Sequence, residues 1–208
     1  MPLFSNPNNH KKQSNNKTIY QFKNSTIQQF IHSKMLVRNA TEEDLPAMLE
    51  IYNDIIVNTT AVWHSEPHTL EMRKDWYRQR QEMGYPIFVA VEKEKLLGFS
   101  TIGPFRPWWG YRFTVENSVY VAADSRGKGV ANLLMPPLID AAKELKLHAI
   151  VAGIEASNEA SVALHQKFGF VEVAHFKEVG WKFDRWMDLK FLELIVASPN
   201  RSEGGALK

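Results

Sequence analysis

The stretch Thr114 to Ala131 constrains the fold more than any other, because it runs from a strand pattern through a glycine-rich turn into a helix. Val115, Asn117, Val119 and Val121 alternate with Thr114, Glu116, Ser118 and Tyr120, and a β-branched and aromatic period of two marks a strand. Arg126-Gly127-Lys128-Gly129 follows, with two glycines just where a helix begins. Glycine takes positive φ without steric cost, so such a turn can aim consecutive N–H groups at one point. The helix N-terminus and the charges of Arg126 and Lys128 make a phosphate its natural guest. Two nucleotide readings fail on spacing: the pattern G-x-x-x-x-G-K-[ST] is absent, and Asn132 stands where a dinucleotide fingerprint needs its third glycine. A solvent-facing strand acid and a plain basic loop are the bland alternatives for Glu116 and the turn.

A chain of 208 residues suits one domain with a core that needs no metal or disulfide. Without cysteine there is no disulfide, no thiolate metal site and no acyl-cysteine, so any acyl transfer is direct. No apolar run approaches the ~20 residues of a membrane-spanning helix, and a soluble, cytoplasmic protein is expected. The net charge of +2 is uneven: residues 1–34 hold five lysines and no acid, which leaves 20 basic against 23 acidic residues from Met35 onward. That mildly acidic remainder argues against nucleic acid as a partner. Residues 1–34, rich in Asn, Gln, Ser and Lys without a period, read as a disordered leader or an upstream extension. They lack the arginines, amphipathic helix or apolar core of a targeting segment. The domain is expected over residues 35–197, with a flexible tail over 198–208.

From Met35 the periodicities predict the series β-α-α-β-β-β-α-β-α-β-β. The first helix carries Leu45, Met48, Leu49, Tyr52, Ile55 and Ile56 on one face, and the second, over Thr69 to Gln81, has Leu70, Met72, Trp76 and Tyr77 as its candidate buried side. The helix after the glycine turn contains Pro136-Pro137. An interior proline removes a hydrogen bond and costs about 3 kcal/mol, so a kink or distorted turn is expected there. Val171 to Lys177 and Met187 to Ile195 read as a final strand pair joined by the aromatic connection Gly180 to Trp186. Gly103 to Phe113 concentrates Phe105, Trp108, Trp109, Tyr111 and Phe113, and reads as a lid, a dimer contact or a substrate wall. Hairpins mixed with crossovers give an α/β (α+β) fold, a mixed sheet flanked by helices.

Two segments resemble the GNAT N-acetyltransferase superfamily. Arg126-x-x-Gly129-x-Ala131 is similar to its acyl-CoA pyrophosphate loop, R/Q-x-x-G-x-G/A. Asn158-Glu159-Ala160-Ser161-Val162-Ala163-Leu164-His165-Gln166-Lys167-Phe168-Gly169-Phe170 resembles its C-terminal motif, N-x-x-A/S-x-x-L-Y-x-K-x-G-F, with His165 at the usual tyrosine. Thr114 to Val121, Val151 to Ile154, Leu164-His165, Asn58 to Ala61, Gly180 to Trp186 and Tyr111-Arg112 resemble the phosphinothricin and methionine sulfone/sulfoximine N-acetyltransferase subfamily. The likeness spans Met35 to about Val196. It implies a GNAT fold of about seven strands and about four helices, acetyl-CoA as co-substrate, no metal, a small amino-acid substrate and a homodimer.

The resemblance also implies roles. Glu116 would take the proton of the substrate ammonium. His165 would protonate the departing thiolate or hold substrate, and a hydrogen-bonded helix histidine is its plain alternative. Arg112, beside Tyr111, would grip the substrate carboxylate, with a surface salt bridge as the alternative. The backbone of Val119 and Val121 would pair with pantetheine, and Arg126, Gly127, Lys128, Gly129, Val130 and Ala131 would hold the pyrophosphate. Asn158 would cap its helix and touch the coenzyme arm. Two other readings stay open: acetylation of a protein N-terminus, polyamine or antibiotic, and a non-catalytic acyl-CoA sensor.

Overall fold

The computed structural model describes residues 35–196, so the expectations for the leader and the polar tail lie outside the described residues. The chain forms β1 (Met35–Asn39), α1 (Leu45–Asn58), α2 (Leu70–Glu82), β2 (Ile87–Glu92), β3 (Lys95–Pro104) and β4 (Thr114–Val121). It continues through α3 (Val130–Glu144), β5 (Ala149–Glu155), α4 (Glu159–Lys167), β6 (Val171–Lys182) and β7 (Arg185–Ile195). The strands make one seven-stranded sheet in the order β1-β2-β3-β4-β5-β7-β6. Every neighbouring pair is antiparallel except β4 and β5, because the chain returns between those two through the long crossover of α3. No helix among the described residues is long and apolar enough to cross a membrane.

Helices cover both faces, which explains why β2 is apolar without alternation. Ile87 and Val89 pack with Leu45, Met48 and Ile55 of α1, whereas Phe88 and Ala90 pack with Leu134, Leu138 and Ala142 of α3. The entry to α1 is fixed by Asp44, which accepts the Thr41 N–H at 2.7 Å and a two-pronged contact from Arg38 at 2.7 and 2.8 Å. That hydrogen-bonded pair with Arg38 holds the Asp44 carboxyl below its ordinary range.

Two sequence expectations change. Met72 is 47% exposed while Arg73 is 2% exposed, so α2 turns Arg73, Trp76, Tyr77 and Arg80 inward. These four share the i, i+3, i+4, i+7 stripe of one helix face, and Met72 is displaced from it by a residue. The segment from Gly180 to Trp186 is not a separate connection. β6 and β7 run to a two-residue turn at Phe183 and Asp184, whose φ values of 53° and 55° suit the twist of a tight hairpin. The prolines Pro136 and Pro137 do not end α3, which runs as one helical span across them. Its inner side chains Leu134, Met135, Leu138 and Ile139 are buried, and this packing outweighs the two lost hydrogen bonds, with Pro136 on the exposed side.

The hairpin tip is tied to the chain after α1. Lys182 Nζ donates to the carbonyls of Ile56, Thr59 and Val62 at 2.5, 2.9 and 2.6 Å. Trp63 lies so close over Gly180 that a Cβ there would sit 2.2 Å from its ring.

Replacing Pro136 by Ala restores a helical N–H. The variant should gain about 1–2 kcal/mol once the stiffer unfolded chain of the parent is allowed for, read as a higher urea midpoint with an unchanged slope.

Candidate active site

The functional cleft is where the sheet forks. β4 is paired to β3 from Val115 to Val121, but β5 accompanies it only through Thr114↔Ala149, Val115↔Ile150 and Glu116↔Val151. Beyond that point β5 stays with β7. From Asn117 onward the β5-facing edge of β4 is unpaired, and a cleft of about 1290 Å³ opens beside it. Of the residues expected to hold a coenzyme, Val119, Val121, Arg126, Gly127, Gly129, Val130, Ala131 and Asn158 line this cleft, and Lys128 does not.

At one end lies the glycine turn. Gly127 and Gly129 take φ values of 73° and 84°, which β-carbon-bearing residues rarely adopt. The N–H of Leu133 bonds the Gly129 carbonyl at 3.3 Å, so the amides of the turn and of the first residues of α3 are left for a ligand. Arg126 bridges the Val121 carbonyl and Asp54, each at 3.3 Å. Asn158 caps α4 by accepting the Ser161 N–H at 3.1 Å.

Two carboxylates line the cleft, and their surroundings separate their roles. Glu155 accepts from Ser157 Oγ at 2.5 Å, from the Ser157 N–H at 3.1 Å and from Thr60 Oγ1 at 2.9 Å. Burial pushes this carboxyl up, but these bonds outweigh it and its pKa falls below the usual value. Glu116, at the fork, has no hydrogen-bond partner among the described residues. Burial raises its pKa, and the charge of Arg106 opposes the rise. Its side chain leans over Gly153 of β5, where a Cβ would approach Oε1 to 3.0 Å.

On the other face of β4, Asn117 Nδ2 meets His165 Nε2 at 2.9 Å, and His165 Nδ1 meets the Ser161 carbonyl at 2.7 Å. A carbonyl only accepts, so Nδ1 carries the proton and Nε2 accepts from Asn117. Burial lowers the His165 pKa, and the ring is neutral with no proton on the nitrogen that faces Asn117. Asn117 Oδ1 is buried without a partner.

The structure does not bring Tyr111 and Arg112 to the cleft. Both are exposed, and the Arg112 guanidinium stacks 3.4 Å from the Trp109 ring centre. None of the aromatic residues from Phe105 to Phe113 lines the cleft. Sequence reasoning missed Asn117, Gly153 and Glu155, which line the cleft. A polar Asn117 inside an apolar stripe and a glycine inside a buried strand were the available signals.

The model of the acetyltransferase (GNAT) domain matches residues 37–190. An L-methionine sulfoximine/L-methionine sulfone acetyltransferase of Pseudomonas aeruginosa is 45% identical over 167 residues, which cover 80% of this chain and 96% of that protein. A phosphinothricin N-acetyltransferase of Streptomyces coelicolor is 38% identical over 164 residues, 77% of this chain and 96% of its own. Among solved structures, a putative acetyltransferase from Salmonella typhimurium with its cofactor acetyl-CoA superimposes with a TM-score of 0.80 at 38% identity, covering 83% of this chain and 99% of the other.

Carbon-detected titration of the glutamate carboxyls should show one that stays protonated above the ordinary value of 4.5. It should vanish in Glu116→Gln; a Glu116 that titrates normally would refute the desolvation argument.

Proposed function

The chain belongs to the GNAT acetyltransferase family, and on that premise we propose that it acetylates the α-amino group of a small amino acid or analogue: methionine sulfone, methionine sulfoximine or phosphinothricin. The observation that carries this reading is Glu116, an unpaired and partly desolvated carboxylate at the point where the sheet opens. An ammonium group must lose a proton before it can attack, and a carboxylate with a raised pKa is the better base for that step. When bound, acetyl-CoA supplies the thioester carbon. The free edge of β4 suits an extended pantetheine arm and the glycine turn suits its pyrophosphate. The amine would form its bond to the acetyl carbon as the carbon–sulfur bond breaks; Glu116 takes the first proton of the ammonium, and the second, lost from nitrogen as the amide forms, passes through water to the thiolate. The cleft needs no metal for this sequence.

The geometry supports His165 as a positioning residue more than as an acid, since its Nε2 is occupied by Asn117. For the substrate carboxylate neither arginine is favoured: Arg112 is spent on the Trp109 face, and Arg106, whose charge is felt at Glu116, is exposed and stacks 4.2 Å from the Phe105 ring centre. The exposed side chains of Trp108, Trp109, Phe113, Trp181 and Trp186 support a homodimer. We place this enzyme in the cytoplasm, without nucleic-acid or membrane partners.

A thiol-release assay with acetyl-CoA over an amino-acid panel tests the activity, and no turnover with any of the three analogues would sink the substrate assignment. Glu116→Gln should lower kcat by about 100-fold or more. In the parent, kcat/KM should fall as pH drops through the raised pKa of Glu116, and that acid limb should disappear in the variant. Gly153→Ala should push the carboxylate off its position and cost roughly tenfold to hundredfold in kcat.

A further inference from the structure

A second cavity, of about 410 Å³, lies on the α1–α2 side of the sheet and is walled by Tyr52, Arg73, Trp76, Arg80, Ser118 and Tyr120. Its chemistry is unusual for a protein interior. Arg73 is 2% exposed, and its Nε and Nη2 atoms, like the Nε of Arg80, are buried without a hydrogen-bond partner. Neither guanidinium is ion-paired among the described residues, and the carboxylate on the rim, Asp75, is paired with Arg78. The contacts that do hold them are aromatic. Arg73 lies 4.1 Å from the Tyr52 ring centre and 4.7 Å from that of Trp76, and Arg80 lies 5.6 Å from Trp76. Ring faces attract a cation but leave its N–H groups unsatisfied, and arginine cannot escape the cost by shedding its proton. β3 is cleared for this arrangement: a Cβ on Gly103 would come within 2.4 Å of Arg80.

The cavity adjoins the catalytic cleft. Ser118 and Tyr120 line both, and alternation puts them on the same face of β4 as Glu116. Gly103, over which Arg80 rests, is the cross-strand partner of Glu116. Two residues along a strand span about 6.5 Å. That span matches an acceptor whose amine is at Glu116 and whose Cα, Cβ and Cγ atoms lead to a sulfur or phosphorus centre. The α-carboxylate is too near the amine to reach as far.

We propose that the Arg73–Arg80 cavity is the subsite for the side-chain oxo group of the acceptor, a sulfone, sulfoximine or phosphinate, whose oxygens take up the free guanidinium N–H groups. This rests on the reading that the amine is acetylated beside Glu116. Sulfones, sulfoximines and phosphinates share a tetrahedral centre with two acceptor atoms, and a planar donor fork can serve either charge state. Specificity then comes from donors that would stay unpaired with any plain aliphatic side chain.

The test compares methionine sulfone with norleucine, which has a similar length and no oxo group, by kcat/KM in the thiol-release assay. The parent should prefer the sulfone by at least about tenfold. In Arg73→Met, and separately in Arg80→Lys, which keeps the charge and loses the fork, the ratio should collapse toward one, carried mainly by KM. Thermal unfolding identifies a variant that has lost its fold, in which case the other carries the comparison. An equal loss for both acceptors would overturn the proposal by assigning the arginines to the α-carboxylate or to packing, as would a parent enzyme without the preference. If norleucine is acetylated as well as the sulfone, only the subsite falls. If no acceptor releases thiol, the acetyltransferase reading falls with it.

Discussion

The hydrogen-bond ladder between β4 and β5 ends after Glu116↔Val151, and the rest of the molecule is arranged around that ending. Backbone N–H and C=O groups inside a protein need partners, so a strand whose edge is left open in mid-sheet asks for an extended guest. β3 secures the other edge of β4 along its length, and β7 holds β5 away through Glu155. The opening is therefore rigid on both sides. Helices packed on each face keep it so, with α3 and α1 gripping opposite surfaces of β2.

Within that opening, chemistry follows from which polar groups are satisfied. Glu155 is hydrogen-bonded and fixed, so it serves the architecture by tying the end of β5 to Thr60. Glu116 is not, and burial makes its charged form less stable and more basic. Two carboxylates in one cleft thus acquire different duties from their surroundings. His165 is settled by the same logic, since a carbonyl on Nδ1 dictates the tautomer and with it the orientation of Asn117.

Much of this was legible in the residues. The alternation of Thr114 to Val121, the two glycines before Val130 and the Asn158 cap are local signals, and each produced the expected element because local geometry alone decides it. The failures share a different cause. Arg73 was overlooked because an inward arginine contradicts hydrophobic periodicity, and only the surrounding rings and the space over Gly103 make room for that helix face. Pro136 and Pro137 suggested a kink or distorted turn, and what keeps α3 one helical span across them is packing on the sheet by residues far away in sequence. Arg112 and Arg106 sit in one loop of irregular backbone, where no period tells which charge is felt at Glu116.

The link from Lys182 to the carbonyls of Ile56, Thr59 and Val62 joins the two walls at one mouth of the cleft, which Thr60, Trp63 and Phe183 line. Fastened to each other, these walls form a door frame rather than a door. An aperture of fixed width sorts molecules before any bond is formed: those that pass do so without waiting for a hinge, and those too broad are refused by the frame itself.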